Sequence, residues 1–547
     1  MIPVLHPAEL TADLRASVIA APPWCRCRSG PDHAALTRSG GCRRIGYRRA
    51  GGPGGTDHRF ITSERHSDMT TLHKNLIDGA WVGGEGKENI NPSNIKDVVG
   101  IYAQASAEET KQAIAAAKAA FPAWSRSGIL ERHAILRKTA DEILARKDEL
   151  GELLSREEGK TLPEGIGEVT RAGQIFDFFA GAVLRLAGEV LPSVRPGIGV
   201  EITREPIGVI GIITPWNFPI AIPSWKIAPA LAYGNTVVIK PADLVPGSTW
   251  AIVDILVRAG LPKGVLNLVM GKGSVVGQTM LDSRDVTAIT FTGSVGTGKR
   301  VAAASVELGR KFQLEMGGKN PTVVLDDADL KVAVESVTQS AFFSTGQRCT
   351  ASSRVIVTEV IHDRFVEALA ERIRGLKVGN ALEPGIDIGP VVDANQLKQD
   401  TDYIEIGKQE GAKLVAGGER VQKETEGYFL QPALFTEATN SMRISREEIF
   451  GPVASVIRVK DYEEALATSN DTEFGLSAGI VTTSLKYATH FKRNAEAGMV
   501  MVNVPTAGVD FHVPFGGRKG SSYGPREQGT YAAEFFTVVK TAYTAAG

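Results

Sequence analysis

From Gly208 onward the chain alternates short apolar runs with helical stretches, and this alternation limits its fold more than any other feature. The runs are Val209-Ile-Gly-Ile-Ile-Thr214, Thr236-Val-Val-Ile-Lys240, Val265-Leu-Asn-Leu-Val269 and Ala288-Ile-Thr-Phe-Thr292. Runs this short and this uniformly apolar, with helices between them, read as βαβ units whose strands are buried on both faces of a parallel sheet. A second series starts at Pro321-Thr-Val-Val-Leu325 and continues through Arg354-Val-Ile-Val357, Val453-Ala-Ser-Val-Ile457 and Ala478-Gly-Ile-Val-Thr482. Two wound α/β domains are the simplest architecture. A chain of 547 residues is also too long for a single core.

Before Gly208 the texture is different. Asn75-Leu-Ile-Asp-Gly-Ala-Trp-Val82 reads as a hairpin, and helices are expected from near Ser106, Gly128 and Pro163, each with apolar residues at three- and four-residue spacing. Val200-Glu-Ile-Thr-Arg204 and Thr537-Val-Val-Lys-Thr-Ala-Tyr543 look like strands outside either sheet, so both are expected to pair across subunits. Residues 1–68 stand apart: they hold 10 Arg, no Lys and 6 acidic residues, without sustained periodicity. Six acids argue against a transit peptide, and the order of a secretory signal is missing. This segment reads as translated upstream sequence, disordered or poorly packed, with Met69 as the natural start. The remainder carries 51 basic against 56 acidic residues, which leaves no basic footprint for nucleic acid. No run approaches the roughly 18 apolar residues of a membrane span. A cytoplasmic protein is expected.

Three of the four cysteines, Cys25, Cys27 and Cys42, fall in that leader. The fourth, Cys349, sits in Gly346-Gln-Arg-Cys-Thr-Ala-Ser-Ser-Arg354. One thiol can neither close a disulfide within its domain nor supply a structural metal site. It is either small apolar packing or a nucleophile. An apolar helix from Val332 to Phe343 breaks at Ser-Thr-Gly just before it, and a strand follows, so the sulfur is expected at a turn, exposed and reactive.

Four other segments carry chemistry. Ile213-Thr214-Pro-Trp216-Asn217-Phe-Pro219 follows the first strand of the series, where ligands of open α/β sheets bind. It is either a Pro-stapled loop or one whose Asn217 amide donates to an oxyanion. Lys240 and Asp243 at the end of the second strand are either solvated or hold ribose hydroxyls. Phe291-Thr-Gly293-Ser294-Val-Gly-Thr-Gly298-Lys299 is a Gly-rich turn suited to a pyrophosphate at a helix N-terminus. It nearly spells a P-loop, but Arg300 stands where the magnesium-binding Ser or Thr belongs. Gln313-Leu-Glu315-Met316-Gly-Gly-Lys-Asn-Pro321 joins the two series, so Glu315 is either a linker acid or a general base in an interdomain cleft. Glu448 and Phe450, in Arg446-Glu-Glu-Ile-Phe-Gly-Pro452, offer a further acid and aromatic.

Taken together, in this order along the chain, these residues resemble the aldehyde dehydrogenase superfamily from Met69 to the C-terminus. The resemblance implies an α/β subunit with a five-stranded Rossmann-like cofactor domain (69–187 and 206–317), an α/β catalytic domain (318–536) and a β extension (188–205 and 537–547) that builds dimers or tetramers. It implies Cys349 as nucleophile, Glu315 as general base and Asn217 as oxyanion donor. It further implies NAD or NADP held by Ile213, Thr214, Trp216, Lys240, Asp243, Gly293, Ser294, Gly298, Met316, Glu448 and Phe450. A Glu at position 315 favours hydrolysis over transfer to CoA.

Arg185 stands where succinate-semialdehyde dehydrogenases carry one carboxylate-binding Arg, while Phe343 replaces their second. The stretch from Asn503 to Arg526 and the Gln347–Arg354 segment look most like 2-oxoglutarate-semialdehyde dehydrogenases. The expected reaction is therefore oxidation of a carboxylated semialdehyde, with succinate semialdehyde or a broad aldehyde range as alternatives. A catalytically silent structural protein and a dinucleotide-binding regulator are the readings from other classes. An intact set of Asn217, Lys240, Glu315, Cys349 and Glu448 argues against the first, and a sensor needs no nucleophile.

Overall fold

The computed structural model describes residues 71–545. The expectations for residues 1–68 lie outside the described residues. At the centre of the first half is a mixed sheet of eight strands. Its five parallel strands are Val209–Ile213, Thr236–Lys240, Leu266–Leu268, Ala288–Thr292 and Lys311–Glu315. In space the third, second, first, fourth and fifth of these lie side by side. The order reverses between Val209–Ile213 and Ala288–Thr292, so a crevice opens beyond their carboxyl ends. The Asn75–Ile77/Ala80–Val82 hairpin extends the sheet at one edge, and Ser522–Tyr523 pairs antiparallel to Lys311–Glu315 at the other.

Helices Ala107–Trp124, Ile129–Ala145 and Leu162–Val183 occur where the spacing predicts them. Ser106 and Glu109 start the first with reciprocal side-chain-to-backbone bonds of 3.1 and 2.8 Å, a capping box that satisfies two orphan donors. A further helix, Lys147–Glu158, is so rich in charge that its apolar stripe reduces to a few leucines. It stops at Gly159, whose φ of +95° favours glycine. Lys311–Glu315, read from sequence as part of a join between domains, is a full strand of the sheet. Its polar Lys and Gln hid the apolar signal.

The second half is built on a seven-stranded sheet. Pro321–Val324 lies between Arg354–Thr358 and Ser477–Val481, with Val453–Val459, Ala433–Ala438 and Lys413–Ala416 continuing one side and Met499–Val502 the other. Only Lys413–Ala416 runs antiparallel. Apolar clusters cover both faces, one containing Phe435 and Phe491, the other Phe342 and Phe365.

Thr537–Ala545 and Ile198–Pro206 pair with each other over nine residues, and Glu189–Pro192 completes a three-stranded sheet. Each thus has a partner within the chain, and Thr537–Ala545 forms one edge of the sheet. The two strands are more than 300 residues apart in sequence, a match that a local pattern cannot reveal. Among the described residues no helix is long and apolar enough to cross a membrane.

Candidate active site

Cys349 follows a strained turn. Helix Leu330–Phe342 ends in Phe343–Gly346, where Ser344, Thr345 and Gly346 all have positive φ, at 50°, 56° and 67°. Two consecutive non-glycine residues there are costly and persist only where their surroundings fix them. Glu164 accepts from the Ser344 backbone N–H at 2.8 Å and from its hydroxyl at 2.9 Å, while Thr345 Oγ1 donates to the Gly389 carbonyl at 3.1 Å. A methyl on Gly346 would overlap the Gly451 carbonyl. Past the turn, Asn217 Nδ2 donates to the Gln347 carbonyl at 3.0 Å, and Asn320 Nδ2 donates to the Cys349 carbonyl at 2.7 Å. The backbone around Cys349 is thus held from the loop after Val209–Ile213 and from the residue before Pro321–Val324.

Two cavities meet at this residue. One, of about 300 Å³, is walled by Trp216, Asn217, Gly293, Ser294, Met316, Gly317, Glu448 and Phe450 together with Cys349. The other, of about 370 Å³, also includes Cys349 and is walled by Phe218, Trp225, Phe343, Val509 and Phe515, with Lys160, Arg171 and Arg348 among its polar members. Both sizes fall in the range of small-molecule sites.

The first cavity lies at the crevice where the strand order reverses. Trp216 packs edge-on against Phe450, with ring centroids 5.3 Å apart, and Phe450 has φ +64°. Ser294 caps the helix Val295–Glu307, so that helix's free N–H groups face the crevice and suit an anion. Gly298 lies beneath Met316, whose sulfur a methyl there would strike. Glu448 accepts from the Gly318 N–H at 2.9 Å, and a methyl on Gly317 would overlap its carboxylate. Burial pushes the Glu448 carboxyl up to about 7. Ile213 ends the first strand, and the Thr214 N–H donates to the Lys240 carbonyl at 3.2 Å. Lys240 Nζ reaches the Pro241 carbonyl at 2.8 Å and Asp243 at 3.3 Å, and burial lowers its pKa. The hydroxyls of Thr214 and Thr292 are buried without a protein partner. A glycine-lined cleft with a helix N-terminus and the orphaned Thr292 hydroxyl fits a dinucleotide, while Ile213, Thr214, Lys240, Asp243 and Gly298 lie outside its lining.

Cys349 is half-buried rather than exposed, which corrects the expectation from its turn. Burial pushes the thiol up to about 12, with the Glu315 and Glu448 carboxylates adding to the effect. Arg348 does not oppose this, because it turns to Glu164 at 2.9 Å. Glu315 closes the last central strand and lines neither cavity. Ser522 Oγ donates to its carboxylate. Burial, followed by the charge of Glu527, raises its pKa well above the usual carboxylate range. Beneath it Lys226 and Glu527 form a buried ion pair, and Lys226 also donates to Thr290 Oγ1 at 2.7 Å.

Arg185 is placed differently from expectation. It lies just past the end of helix Leu162–Val183, exposed and outside both cavity walls. Three cavity or near-cavity residues escaped notice in the sequence: Arg171, Lys226 and Trp225. Lys226 had a signal, being the only charged residue in the wholly buried helix Ala221–Ala232. Arg171 had none, since a helical Arg is ordinarily solvated.

The model of the aldehyde dehydrogenase family matches residues 81–542. The chain belongs to that family. Among its relatives, the alpha-ketoglutaric semialdehyde dehydrogenase of Bacillus subtilis (strain 168) is 47% identical over 474 residues, covering 86% of this chain and 97% of that one. The alpha-ketoglutarate semialdehyde dehydrogenase of Haloferax volcanii is 44% identical over 483 residues, covering 87% and 99%. Among solved structures, betaine aldehyde dehydrogenase from Staphylococcus aureus in complex with NAD⁺ superposes with a TM-score of 0.84 at 34% identity, over 86% of this chain and 94% of that one. The α/β architecture is therefore the aldehyde dehydrogenase fold.

Proposed function

We propose that this aldehyde dehydrogenase oxidises 2-oxoglutarate semialdehyde to 2-oxoglutarate. The observation that carries the reading is that Cys349 belongs to the walls of both cavities. A group there can meet an aldehyde from one side while a cofactor lies on the other. NAD or NADP, held by the residues of the first cavity with Lys240 and Asp243, supplies the hydride acceptor. On the substrate side, the Cys349 thiol gives its proton to solvent, the thiolate sulfur forms a bond to the aldehyde carbon, and the C=O pair moves onto the carbonyl oxygen, which takes up the negative charge. The Asn217 amide and the Cys349 backbone N–H stabilise that charge as an oxyanion hole. After oxidation the acyl group is a thioester on Cys349. Glu315, swung from Ser522 toward the sulfur, removes a proton from water, whose oxygen adds to the acyl carbon and expels the thiolate.

The substrate follows from the relatives' names and from the cations in the second cavity. The proposed division is a cofactor domain of 69–187 with 206–317 and a catalytic domain of 318–536, the latter lending Ser522–Tyr523 to the edge of the first sheet. The exposed Val190, Leu191, Val538, Val539 and Tyr543 of the three-stranded sheet give it the character of a surface for a homodimer or homotetramer. A cytoplasmic enzyme is in keeping with this chemistry. A kinetic panel tests the reading: 2-oxoglutarate, succinate and glutarate semialdehydes and pentanal, each with NAD and NADP. The highest kcat/KM is expected for 2-oxoglutarate semialdehyde. A clear preference for pentanal contradicts the reading.

A further inference from the structure

Three cations line the cavity beyond Cys349, and two of them are neutralised in place. Lys160 pairs with Glu168 at 2.8 Å, and Arg348 pairs with Glu164 at 2.9 Å. The third, Arg171, forms no ion pair among the described residues. Its guanidinium stands 5.6 Å from the ring centroid of Trp225, and one terminal nitrogen donates to Gln528 Oε1 at 3.0 Å. Its Nε is buried and without a partner. Glu168, Asp510 and Cys349 are the groups whose charge acts on it, and Glu168 is already committed to Lys160 and to the backbone N–H groups of Ile220 and Ala221.

A desolvated cation with a donor to spare is costly unless an anion completes it. The guanidinium fork matches a carboxylate in two parallel bonds. Trp225 and Gln528 hold that fork in one orientation before any ligand arrives. The remaining walls, Phe218, Phe343, Val509 and Phe515, suit a methylene chain. Arg185 cannot serve, because at 1.5 Å of rise per residue it stands about 21 Å further along the same helix direction.

We propose that Arg171 binds the far carboxylate of the substrate and so selects carboxylated over neutral aldehydes. This rests on the semialdehyde reading above. The test compares wild type with Arg171→Gln and Arg171→Lys. The ratio of kcat/KM for 2-oxoglutarate semialdehyde to that for pentanal should fall on the order of 10- to 100-fold in the Gln variant, mainly through KM. The Lys variant should recover part of the ratio, keeping the charge but not the fork. Equal losses on both aldehydes would overturn the proposal.

A second readout needs no turnover: glutarate should protect Cys349 of the wild type from iodoacetamide, with about tenfold more required in Arg171→Gln. Should wild type show no preference for carboxylated aldehydes, the substrate reading falls and protection alone decides. Protection weakened in the variant then upholds Arg171 as a carboxylate site, and protection unchanged overturns it.

Discussion

Asn217 Nδ2 donates to the Gln347 carbonyl at 3.0 Å, tying the loop after the first central strand to the residue two positions before Cys349. One bond therefore links the segments that carry Asn217 and Cys349, both of which line the first cavity. On the proposed mechanism the second N–H of the same amide serves the oxygen of a substrate. Replacing Asn217 by Ala removes a preorganised donor at the point where charge develops, a loss of about 10²–10³ in kcat. Steady-state kinetics should show this fall with KM little changed. A loss below tenfold would place the oxyanion elsewhere.

Gly317 stands so near Glu448 that any side chain would displace the carboxylate. Glu448 would then lose its bond from the Gly318 N–H. Gly317→Ala is expected to weaken dinucleotide affinity by at least tenfold, measured by fluorescence titration, while melting temperature changes little. Unchanged affinity would mean that this wall of the cavity does not touch the cofactor.

Much of this site could be read from the sequence, for identifiable reasons. Strand runs such as Thr236–Lys240 are apolar throughout because helices cover both faces, and Ser106 with Glu109 announces a helix start. Short motifs around Asn217, Gly293 and Cys349 mark where the chain must approach a ligand. What could not be read depends on neighbours distant in sequence. The strand ending in Glu315 alternates polar and apolar residues and is recognisable only beside Ala288–Thr292. Arg171 lies on helix Leu162–Val183 and Arg185 just past its end, and local pattern cannot say which one the fold turns inward. The protonation of Cys349 depends on burial and on Glu315 and Glu448, all set by tertiary structure.

That protonation has a measurable consequence. Burial and two carboxylates hold the thiol up at about 12, so the reactive thiolate is scarce near neutrality and grows as pH rises. Iodoacetamide alkylation of the cofactor-free protein should accelerate about tenfold per pH unit from pH 7 to 10. A plateau beginning near pH 8 would show a thiol of ordinary acidity.

The most direct measurement is mass spectrometry of Glu315→Gln after brief exposure to 2-oxoglutarate semialdehyde and NAD or NADP. Acylation does not need a base for water, whereas hydrolysis does, so the acyl group should remain on the enzyme. The predicted result is a single burst of reduced cofactor, about one per site, with one acyl group on the peptide containing Cys349. The same peptide in a Cys349→Ser control should be unmodified. Steady turnover at the wild-type rate with no acyl adduct would contradict the assignment of both residues.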